Sequence, residues 1–341
     1  MNPETLLKKL IAISSVSGNE EQIGNFLFSF LSSYFNVRKI YVAKNRLNIQ
    51  ATTGNPELYL ASHMDTVPGK AIVREDKEKI YGRGSCDAKG CIASMICAAI
   101  ALKKEGVTDF GLYFTVGEET DFCGAKKVPK EFAIVGEPTN LFPEIGQKGL
   151  LGFNVTAKGK NAHGATPEKG SCAITKISEA VRILQETTFP ESSLGKTALN
   201  IGFIQGGTAI NTVPDKATIS CELRTVKDNY RYKRILKKKL KGYSIMYKTD
   251  YNPVMMSNKL QKTAEKTIGK KVKIARGFTE LYFWKKGIIF GPGNPKKAHT
   301  DKEYIEKEQL EKAVMTYQLL VEEMKKIKGY ISSSSESSAP K

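Results

Sequence analysis

Four short runs of apolar residues, each followed by a polar cluster, constrain this chain more than any other feature of its sequence. The runs are 58–65 (LYLASHMD), 110–119 (FGLYFTVGEE), 132–138 (FAIVGEP) and 287–293 (GIIFGPG). Nearly continuous apolar strands of this kind are typical of a sheet that is buried on both faces. Helical stretches at 90–104 and 308–328 lie between or after them. Strands that alternate with helices predict an α/β fold with a mainly parallel sheet.

The middle of the chain has a different order of elements. From about residue 149 it reads strand, helix, strand, strand, helix, strand, which is the βαββαβ order of a ferredoxin-like unit. We therefore predict a domain at 149–251 that is inserted into an α/β domain formed by 1–148 and 252–330. The segment 331–341 (ISSSSESSAPK) is of low complexity, and we predict that it is disordered.

The chain carries a strong positive charge. Its 53 Lys and Arg exceed its 35 Asp and Glu, which gives a formal net charge of +18. Such an excess attracts acidic partners. The densest basic run, Tyr230–Lys241, fits a solvated helix face, and an acidic small molecule or protein is the main alternative explanation of the charge. Zinc-finger and RNP-type signatures are absent, which disfavours nucleic acid.

Other compositional features indicate a cytoplasmic protein. No run of about 18 apolar residues is present, so no transmembrane helix is expected. The first 14 residues resemble an amphipathic helix more than a signal peptide. The six cysteines form no C-x-x-C pair, and small buried thiols in a reducing compartment explain them better than disulfides or zinc knuckles do.

Acidic and imidazole side chains follow three of the predicted strands. His63 and Asp65 lie at the end of the first run, Glu118 and Glu119 at the end of the second, and Glu137 near the end of the third. Ligands of open α/β sheets bind beyond the carboxyl ends of the strands. In the H-x-D pair, Asp65 could hold the second ring nitrogen of a metal-bound His63. A solvated pair of loop carboxylates remains the alternative for Glu118 and Glu119.

Two further loops contribute to the same edge. Asp87 lies in the glycine-rich segment YGRGSCDAKG, which lacks the spacing of a phosphate-binding loop. An acid at this place favours a cation, although a helix N-cap is an equal alternative. His299 follows the last predicted strand. Five acid or imidazole groups from five segments predict a metal site, and that joint arrangement is stronger than any single motif.

Seven ordered segments carry a resemblance that covers residues 1–330. They are SHMDTVP, YGRGSCDAKG, VGEET, VGEPT, GKNAHGATPEKG, GGTAINTVPDKATISCELRT and GPGNPKKAHT. In this order they resemble a dizinc amidohydrolase and metallopeptidase family. That family includes acetylornithine deacetylase, succinyl-diaminopimelate desuccinylase, glutamate carboxypeptidase and the carrier-protein lysine/ornithine hydrolases.

The resemblance implies two Zn²⁺ ions per chain, with Co²⁺ as a substitute. His63, Asp87 and Glu137 would hold one ion, and Asp87, Glu119 and His299 the other. Each ion would then keep an open position, as catalytic zinc does. The family pattern implies that Glu118 is the general base and that Asp65 supports His63.

The resemblance also assigns roles to the inserted domain, which would be a lid and dimerisation domain. His163 would reach the active site of the partner subunit in a homodimer and donate to the oxyanion, although a His that caps a turn is the alternative. Asn211 and Arg224 would bind the carbonyl and carboxylate groups of the substrate. Arg is suited to carboxylates, but Arg224 could also be an ordinary ladder residue of its strand.

Among these branches, the positive charge favours the carrier-protein hydrolases, whose acidic carrier would suit a basic enzyme. We therefore expect release of lysine or ornithine from a γ-glutamyl carrier precursor, although the basic proteome of a thermophile would explain the charge equally well. The alternatives are acetylornithine deacetylase or succinyl-diaminopimelate desuccinylase activity, a dipeptidase or carboxypeptidase, and a catalytically dead module that binds acidic partners or nucleic acid. One departure concerns the substrate pocket, because Gly277–Glu280 reads GFTE where many relatives have Gly-Thr-Ser-Asp.

Overall fold

The secondary structure of the chain follows from a computed structural model that describes residues 1–275, 277–284 and 286–326. The α-helices are α1 (Pro3–Ala12), α2 (Glu21–Ser32), α3 (Lys89–Lys104), α4 (Ala173–Gln185), α5 (Asn229–Lys239), α6 (Asn258–Ile268) and α7 (Lys307–Lys326). Short 3₁₀ helices lie at Ala125–Lys127, Pro167–Lys169 and Glu280–Tyr282. The predicted disordered tail at 331–341 lies outside the described residues.

The strands are listed in chain order. They are β1 (Asn36–Ala43), β2 (Arg46–Thr53), β3 (Leu58–His63), β4 (Arg74–Glu75), β5 (Lys79–Tyr81), β6 (Phe110–Thr115), β7 (Phe132–Val135), β8 (Glu144–Gln147), β9 (Gly149–Lys158), β10 (Ala162–His163), β11 (Glu191–Ser192), β12 (Gly195–Lys196), β13 (Ala198–Gly206), β14 (Thr212–Val213), β15 (Lys216–Thr225), β16 (Ser244–Tyr251), β17 (Val254–Met255), β18 (Lys273–Ala275), β19 (Lys286–Ile289) and β20 (Tyr304–Glu306).

The chain divides into two structural units. The first unit comprises Met1–Ile145, Met256–Ala275 and the described residues from Thr279 onward. The second comprises Gly146–Met255 together with residues 277 and 278. The sequence analysis predicts that the chain enters the inserted domain at 149 and leaves it at 252, within a few residues of these bounds.

The centre of the first unit is a run of four parallel strands in the order β6-β3-β7-β19. Every residue of β3, β6 and β7 is buried. Helices α3 and α7 contact β3, and the ring of Trp284 lies against Tyr59 of β3 and Tyr113 of β6. Helix α3 is itself buried along almost its whole length, and α7 packs against it. The burial of every residue along these strands explains the continuous apolar runs, and the strand order confirms the predicted α/β fold with parallel strands at its centre.

Antiparallel pairs flank the parallel centre. Strands β1 and β2 form a hairpin, and β2 pairs with β6; at the other end, β8 pairs with β19. The hairpin turns at Asn45, whose φ of 58° lies in the left-handed region that Asn tolerates. The sequence analysis does not predict this hairpin, because half of the residues of β1 are exposed and the strand has no long apolar run.

The second unit is a four-stranded antiparallel sheet in the order β13-β15-β9-β16. Alternate residues along β9 and β15 are buried, so one face of the sheet is apolar. Helices α4 and α5 contribute the core residues Ile177, Leu184, Tyr232 and Leu236 to the same cluster. The chain order β9-α4-β13-β15-α5-β16 is the predicted ferredoxin-like arrangement, which is therefore confirmed.

Strand β13 forms an edge of this sheet and pairs only with β15 in the described part of the chain. Its last five residues are all exposed, including two large apolar side chains, Phe203 at 56% and Ile204 at 57%. A long, apolar edge strand presents free N–H and C=O groups that can pair with another chain. This edge is therefore able to join a second sheet.

Two further features concern the whole described chain. Over its three described ranges, no helix combines the length and the apolar character that crossing a bilayer requires. All six cysteines are free thiols.

Candidate dinuclear metal centre

The candidate site lies in the first unit, where its parallel strands end. His63 is the last residue of β3, Glu118 and Glu119 follow the end of β6, and Glu137 follows the end of β7. Because neighbouring parallel strands end at the same edge of a sheet, these side chains converge. Asp87 arrives from the turn before α3, and His299 from the turns after β19.

Asp87 lies between the two histidines. Its Oδ1 is 3.1 Å from Nε2 of His63, and its Oδ2 is 3.2 Å from Nε2 of His299. A second carboxylate stands beside each ring: Glu137 Oε2 is 4.0 Å from His63 Nε2, and Glu119 Oε1 is 2.9 Å from His299 Nε2. The structure thus brings all five predicted ligands together in two groups that share one aspartate.

Each group offers one imidazole nitrogen and two carboxylate oxygens. The possible ligand atoms lie within 4.8 Å of one another in the group of His63, Asp87 and Glu137 and in the group of Asp87, Glu119 and His299. A third combination, His63 with Glu118 and Glu119, meets the same limit. Three protein ligands with an open position are the pattern of a catalytic zinc site, and nitrogen with oxygen donors suits Zn²⁺.

Two observations show that the residues fit divalent cations. The buried Oε1 of Glu137 has no hydrogen-bond partner among the described residues. Nδ1 of His63 lies 3.0 Å from the backbone oxygen of Asp65, to which it can donate a hydrogen bond. When the ring is neutral, that hydrogen bond keeps the proton on Nδ1 and leaves the lone pair of Nε2 free to bind a cation beside Asp87 and Glu137.

The carboxylates repel one another in this enclosed place. Burial raises the pKa of Glu118 well above its usual value, and the nearby charge of Glu137 raises it further. Burial likewise raises the pKa of Glu137, while His63 opposes the shift. Like charges that share a buried site need a proton or a cation for compensation.

The histidines supply part of that compensation. Hydrogen bonds to Asp87 and Glu119 raise the pKa of His299 to about 10. Burial alone would raise the pKa of Asp87, but hydrogen bonds from His299 and His63 hold it below its usual range. In this arrangement, protons on imidazoles occupy the places that a cation would take.

Asp65 is the least exposed of these acids, and its carboxylate serves mainly the backbone. Its Oδ1 accepts the N–H of Glu118 at 3.1 Å, and its Oδ2 accepts the N–H of Glu119 at 3.2 Å. Its carboxylate lies 3.6 Å from Nδ1 of His63, whereas its backbone oxygen is closer. Asp65 therefore orients His63 chiefly through its carbonyl and fixes the Glu118–Glu119 turn through its side chain.

Sequence reasoning missed Ser17, whose hydroxyl donates to Oδ2 of Asp65 at 2.6 Å. Its backbone N–H also donates to the carbonyl of Thr66 at 3.0 Å. A serine in the polar stretch before α2 gives no signal of this role, because the contact joins residues 48 positions apart. Only the folded chain places it behind the site.

The departure from the family pattern at Gly277–Glu280 places a buried carboxyl group in the first unit. Glu280 is fully buried, and its Oε1 accepts the hydroxyl of Thr115 at 2.5 Å. Its Oε2 has no hydrogen-bond partner among the described residues. Burial raises the pKa of Glu280 to about 7. With a pKa of about 7, this carboxyl group is about half protonated at neutral pH.

The three remaining predicted residues belong to the second unit. His163 of β10 pairs with Thr212 of β14, and the N–H of Gly164 donates to the carbonyl of Asn211 at 2.7 Å. The hairpin therefore brings His163 and Asn211 together. Arg224 lies apart on β15, where its Nε is 2.7 Å from Oε1 of Glu222.

Comparison with known proteins identifies similar sequences. The model of peptidase family M20/M25/M40 matches residues 59–323. A peptidase M20 domain-containing protein of Schizosaccharomyces pombe is 32% identical over 93% of this chain and 83% of its own length. A probable carboxypeptidase of Aspergillus clavatus is 29% identical over 92% of this chain and 87% of its own length.

Solved structures share the fold at lower identity. A tripeptidase of Staphylococcus aureus aligns with a TM-score of 0.80 and 23% identity, over 95% of this chain and 97% of its own. The M20 family metallo-carboxypeptidase Sso-CP2 of Sulfolobus solfataricus aligns with a TM-score of 0.72 and 16% identity, over 94% and 98%. A Bacillus subtilis protein described as a dinuclear metal-binding M20 peptidase gives 0.67 and 16%, over 94% and 97%.

The shared aspartate generates a prediction about metal content. We expect the protein to bind two Co²⁺ or Zn²⁺ ions per chain, and we expect Asp87→Asn to weaken both sites because the lost oxygen charge belongs to both groups. His299→Ala should weaken one site only. Metal analysis and calorimetric titration of the metal-free protein measure this, with the exposed Glu105→Gln as control. Loss of a single ion in Asp87→Asn would contradict the shared geometry.

Proposed function

The chain belongs to peptidase family M20/M25/M40, and from this membership we propose the reaction that it performs. Members of this family are hydrolases of amide and peptide bonds. We propose that this chain cleaves an amide bond to release an amino acid and that it uses two Zn²⁺ ions. The observation that carries the proposal is the position of Asp87 between two histidines, each with a second carboxylate beside it.

We assign the two ion sites to the two groups that share Asp87. His63 and Glu137 complete one site, and Glu119 and His299 complete the other. When bound, divalent cations at these places would polarise the amide carbonyl and acidify the attacking water. The chain itself supplies the orientation of the ligands and the movement of protons.

Glu118 is the group that moves the proton in this proposal. It belongs to neither of the groups that share Asp87, although it lies beside His63 and Glu119. Its backbone N–H donates to Oδ1 of Asp65, and this hydrogen bond fixes the backbone position from which the Glu118 side chain extends. It can therefore take a proton from the attacking water and deliver it to the leaving amine.

This role separates metal binding from turnover. Glu118→Gln should keep two ions per chain but lower kcat by at least about 100-fold, because the amide cannot accept the proton. Metal content and steady-state kinetics on one substrate measure the two effects. Loss of an ion would instead make Glu118 a ligand, in the combination with His63 and Glu119.

The second unit supplies the substrate contacts in our proposal. The N–H of Ala165 donates to Nδ1 of the exposed His163 at 3.1 Å, so Nε2 bears the hydrogen when the ring is neutral. That N–H can donate to the developing oxyanion. Asn211, on the same hairpin, would bind the substrate carbonyl, and Arg224 would bind its carboxylate.

We propose that a second copy of the chain pairs along β13, and that His163 acts across this dimer. The exposed Phe203 and Ile204 on an open edge favour a matching edge as the occupant. Such pairing would extend the four-stranded sheet of the second unit.

The edge provides the test of the dimer. Ile204→Asp should convert the dimer into a monomer, because a charge within the paired edge would lack a partner. The monomer should be at least tenfold less active at unchanged metal content. Light scattering coupled to size-exclusion chromatography measures the mass. Ile72→Asp, at a residue of the first unit that is 49% exposed, is the matched control. A dimeric Ile204→Asp variant would exclude this interface.

The net charge of +18 supports an acidic substrate. We propose lysine or ornithine attached through a γ-glutamyl bond to a small acidic carrier protein, as the resemblance implies, in a cytoplasmic biosynthetic reaction. Long-range attraction would raise the encounter rate with such a carrier. The principal alternative is a carboxypeptidase or dipeptidase that acts on short peptides. The names of two of the similar proteins favour a carboxypeptidase, and that of a third, a tripeptidase, favours a short peptide as the substrate.

A comparison of substrates decides between these alternatives. We expect kcat/KM for carrier-linked lysine to exceed that for acetylornithine and for dipeptides, and to fall as salt is raised from low to high ionic strength. The short substrates should show little salt dependence. A salt-insensitive preference for acetylornithine, succinyl-diaminopimelate or a dipeptide would replace the carrier proposal with that activity. Metal-replete protein without any bound ion would favour a binding module.

A further inference from the structure

A buried glutamate outside the two ligand groups holds the loop that carries Asp87. Glu303 is 3% exposed and lies four residues after His299. Its Oε1 accepts the backbone N–H of Cys86 at 3.0 Å and that of Asp87 at 3.1 Å. Its Oε2 accepts Nη1 of Arg83 at 2.6 Å. Both carboxylate oxygens of Glu303 therefore accept hydrogen bonds from the short segment 83–87.

The local fold explains why Glu303 faces this segment. Strand β20 follows Glu303 directly and pairs with β5, which leads into the glycine-rich loop. Tyr304 is opposite Tyr81 in this pairing, and the N–H of Gly82 donates to the carbonyl of Glu303 at 3.1 Å. The small sheet therefore fixes the distance between the segment after His299 and the loop before Asp87.

The hydrogen bonds of Glu303 exclude a role for its carboxylate as a metal ligand. Its oxygens already accept three N–H donors, and it belongs to none of the ligand groups found among the described residues. A carboxylate that accepts backbone N–H groups and pairs with a guanidinium makes short, strong hydrogen bonds. The contact holds the backbone from which the Asp87 side chain reaches both histidines.

We propose that Glu303 is a positioning residue that sets the two oxygens of Asp87 between His63 and His299. It acts through the backbone of Cys86 and Asp87 and touches neither cation. Because Asp87 is common to both groups, a shift of this backbone weakens both sites together. This inference rests on the metal centre of the proposed function and is independent of the substrate.

Two variants test the role. Glu303→Gln keeps one acceptor oxygen for the two N–H groups but places an amide NH₂ toward Arg83, whereas Glu303→Ala removes every acceptor. We expect the affinity of the metal-free protein for both Co²⁺ ions to fall by about 10-fold in Glu303→Gln and about 100-fold in Glu303→Ala. The visible absorption spectrum of bound Co²⁺ should change in both. In the metal-free protein, the amides of residues 83–87 should exchange hydrogen faster.

The kinetic result separates positioning from general destabilisation. At saturating Co²⁺, kcat should fall while KM for one fixed substrate stays within twofold, because the substrate contacts are unchanged. Glu306→Gln is the matched control, since Glu306 also lies in this segment but accepts from Gln309 instead. Circular dichroism shows whether each variant is folded, and Glu303→Gln decides the matter if Glu303→Ala does not fold.

The wild-type protein separates the two levels of the proposal. If it binds two Co²⁺ ions and the folded Glu303→Gln variant binds them with equal affinity and an unchanged spectrum, this inference is overturned and the proposed function stands. A lower melting temperature with unchanged Co²⁺ affinity would also overturn it. If the wild-type protein binds no Co²⁺, both the metal centre and the role of Glu303 fall together.

Discussion

The sharing of Asp87 between two imidazoles is the interaction on which the candidate site depends. Buried carboxylates are costly unless a proton, a cation or hydrogen bonds compensate them. Here two histidines approach the two oxygens of one aspartate, and each brings a further carboxylate with it. Each group contains two carboxylates and only one imidazole, so its charges are not balanced within the group. Because Asp87 belongs to both groups, the five side chains form one electrostatic unit. The parallel strands make this possible because they deliver three of the five segments to one edge.

A second level of organisation holds the ligand loops by their backbones. Asp65 accepts the N–H groups of Glu118 and Glu119, and Glu303 accepts those of Cys86 and Asp87. In each case a buried carboxylate orders a short turn that carries at least one candidate ligand. Such contacts restrict the backbone at the positions where sub-ångström changes would alter ligand geometry. The precision of the centre therefore depends on acids that are not ligands.

The sequence predicts the parallel core and the ligand residues for a clear physical reason. Doubly buried strands must be apolar, so β3, β6 and β7 are visible as runs, and the first polar residues after them mark the ligand edge. The β1–β2 hairpin is not predicted, because its alternating and partly exposed residues resemble many loops. Ser17 and Glu303 are not predicted for another reason, because their hydrogen-bond partners are far away in the sequence. Glu303 also accepts mostly from backbone N–H groups, and such contacts leave no pattern of side chains in the sequence. Glu280 is noticed only as a departure from a family motif, and its burial comes from the structure.

Charge and chemistry are divided between the two units. Residues 146–255, which form most of the second unit, contain 18 Lys and Arg against 8 Asp and Glu, so they carry a net +10 of the total +18. Helix α5 contributes Arg231, Arg234 and three consecutive lysines from Lys237 onward, and it contains no acid. The first unit contains the buried or partly buried acids of the ligand cluster, namely Asp65, Asp87, Glu118, Glu119 and Glu137. More than half of the excess positive charge therefore belongs to the second unit, whereas all five candidate metal ligands and Glu118 belong to the first.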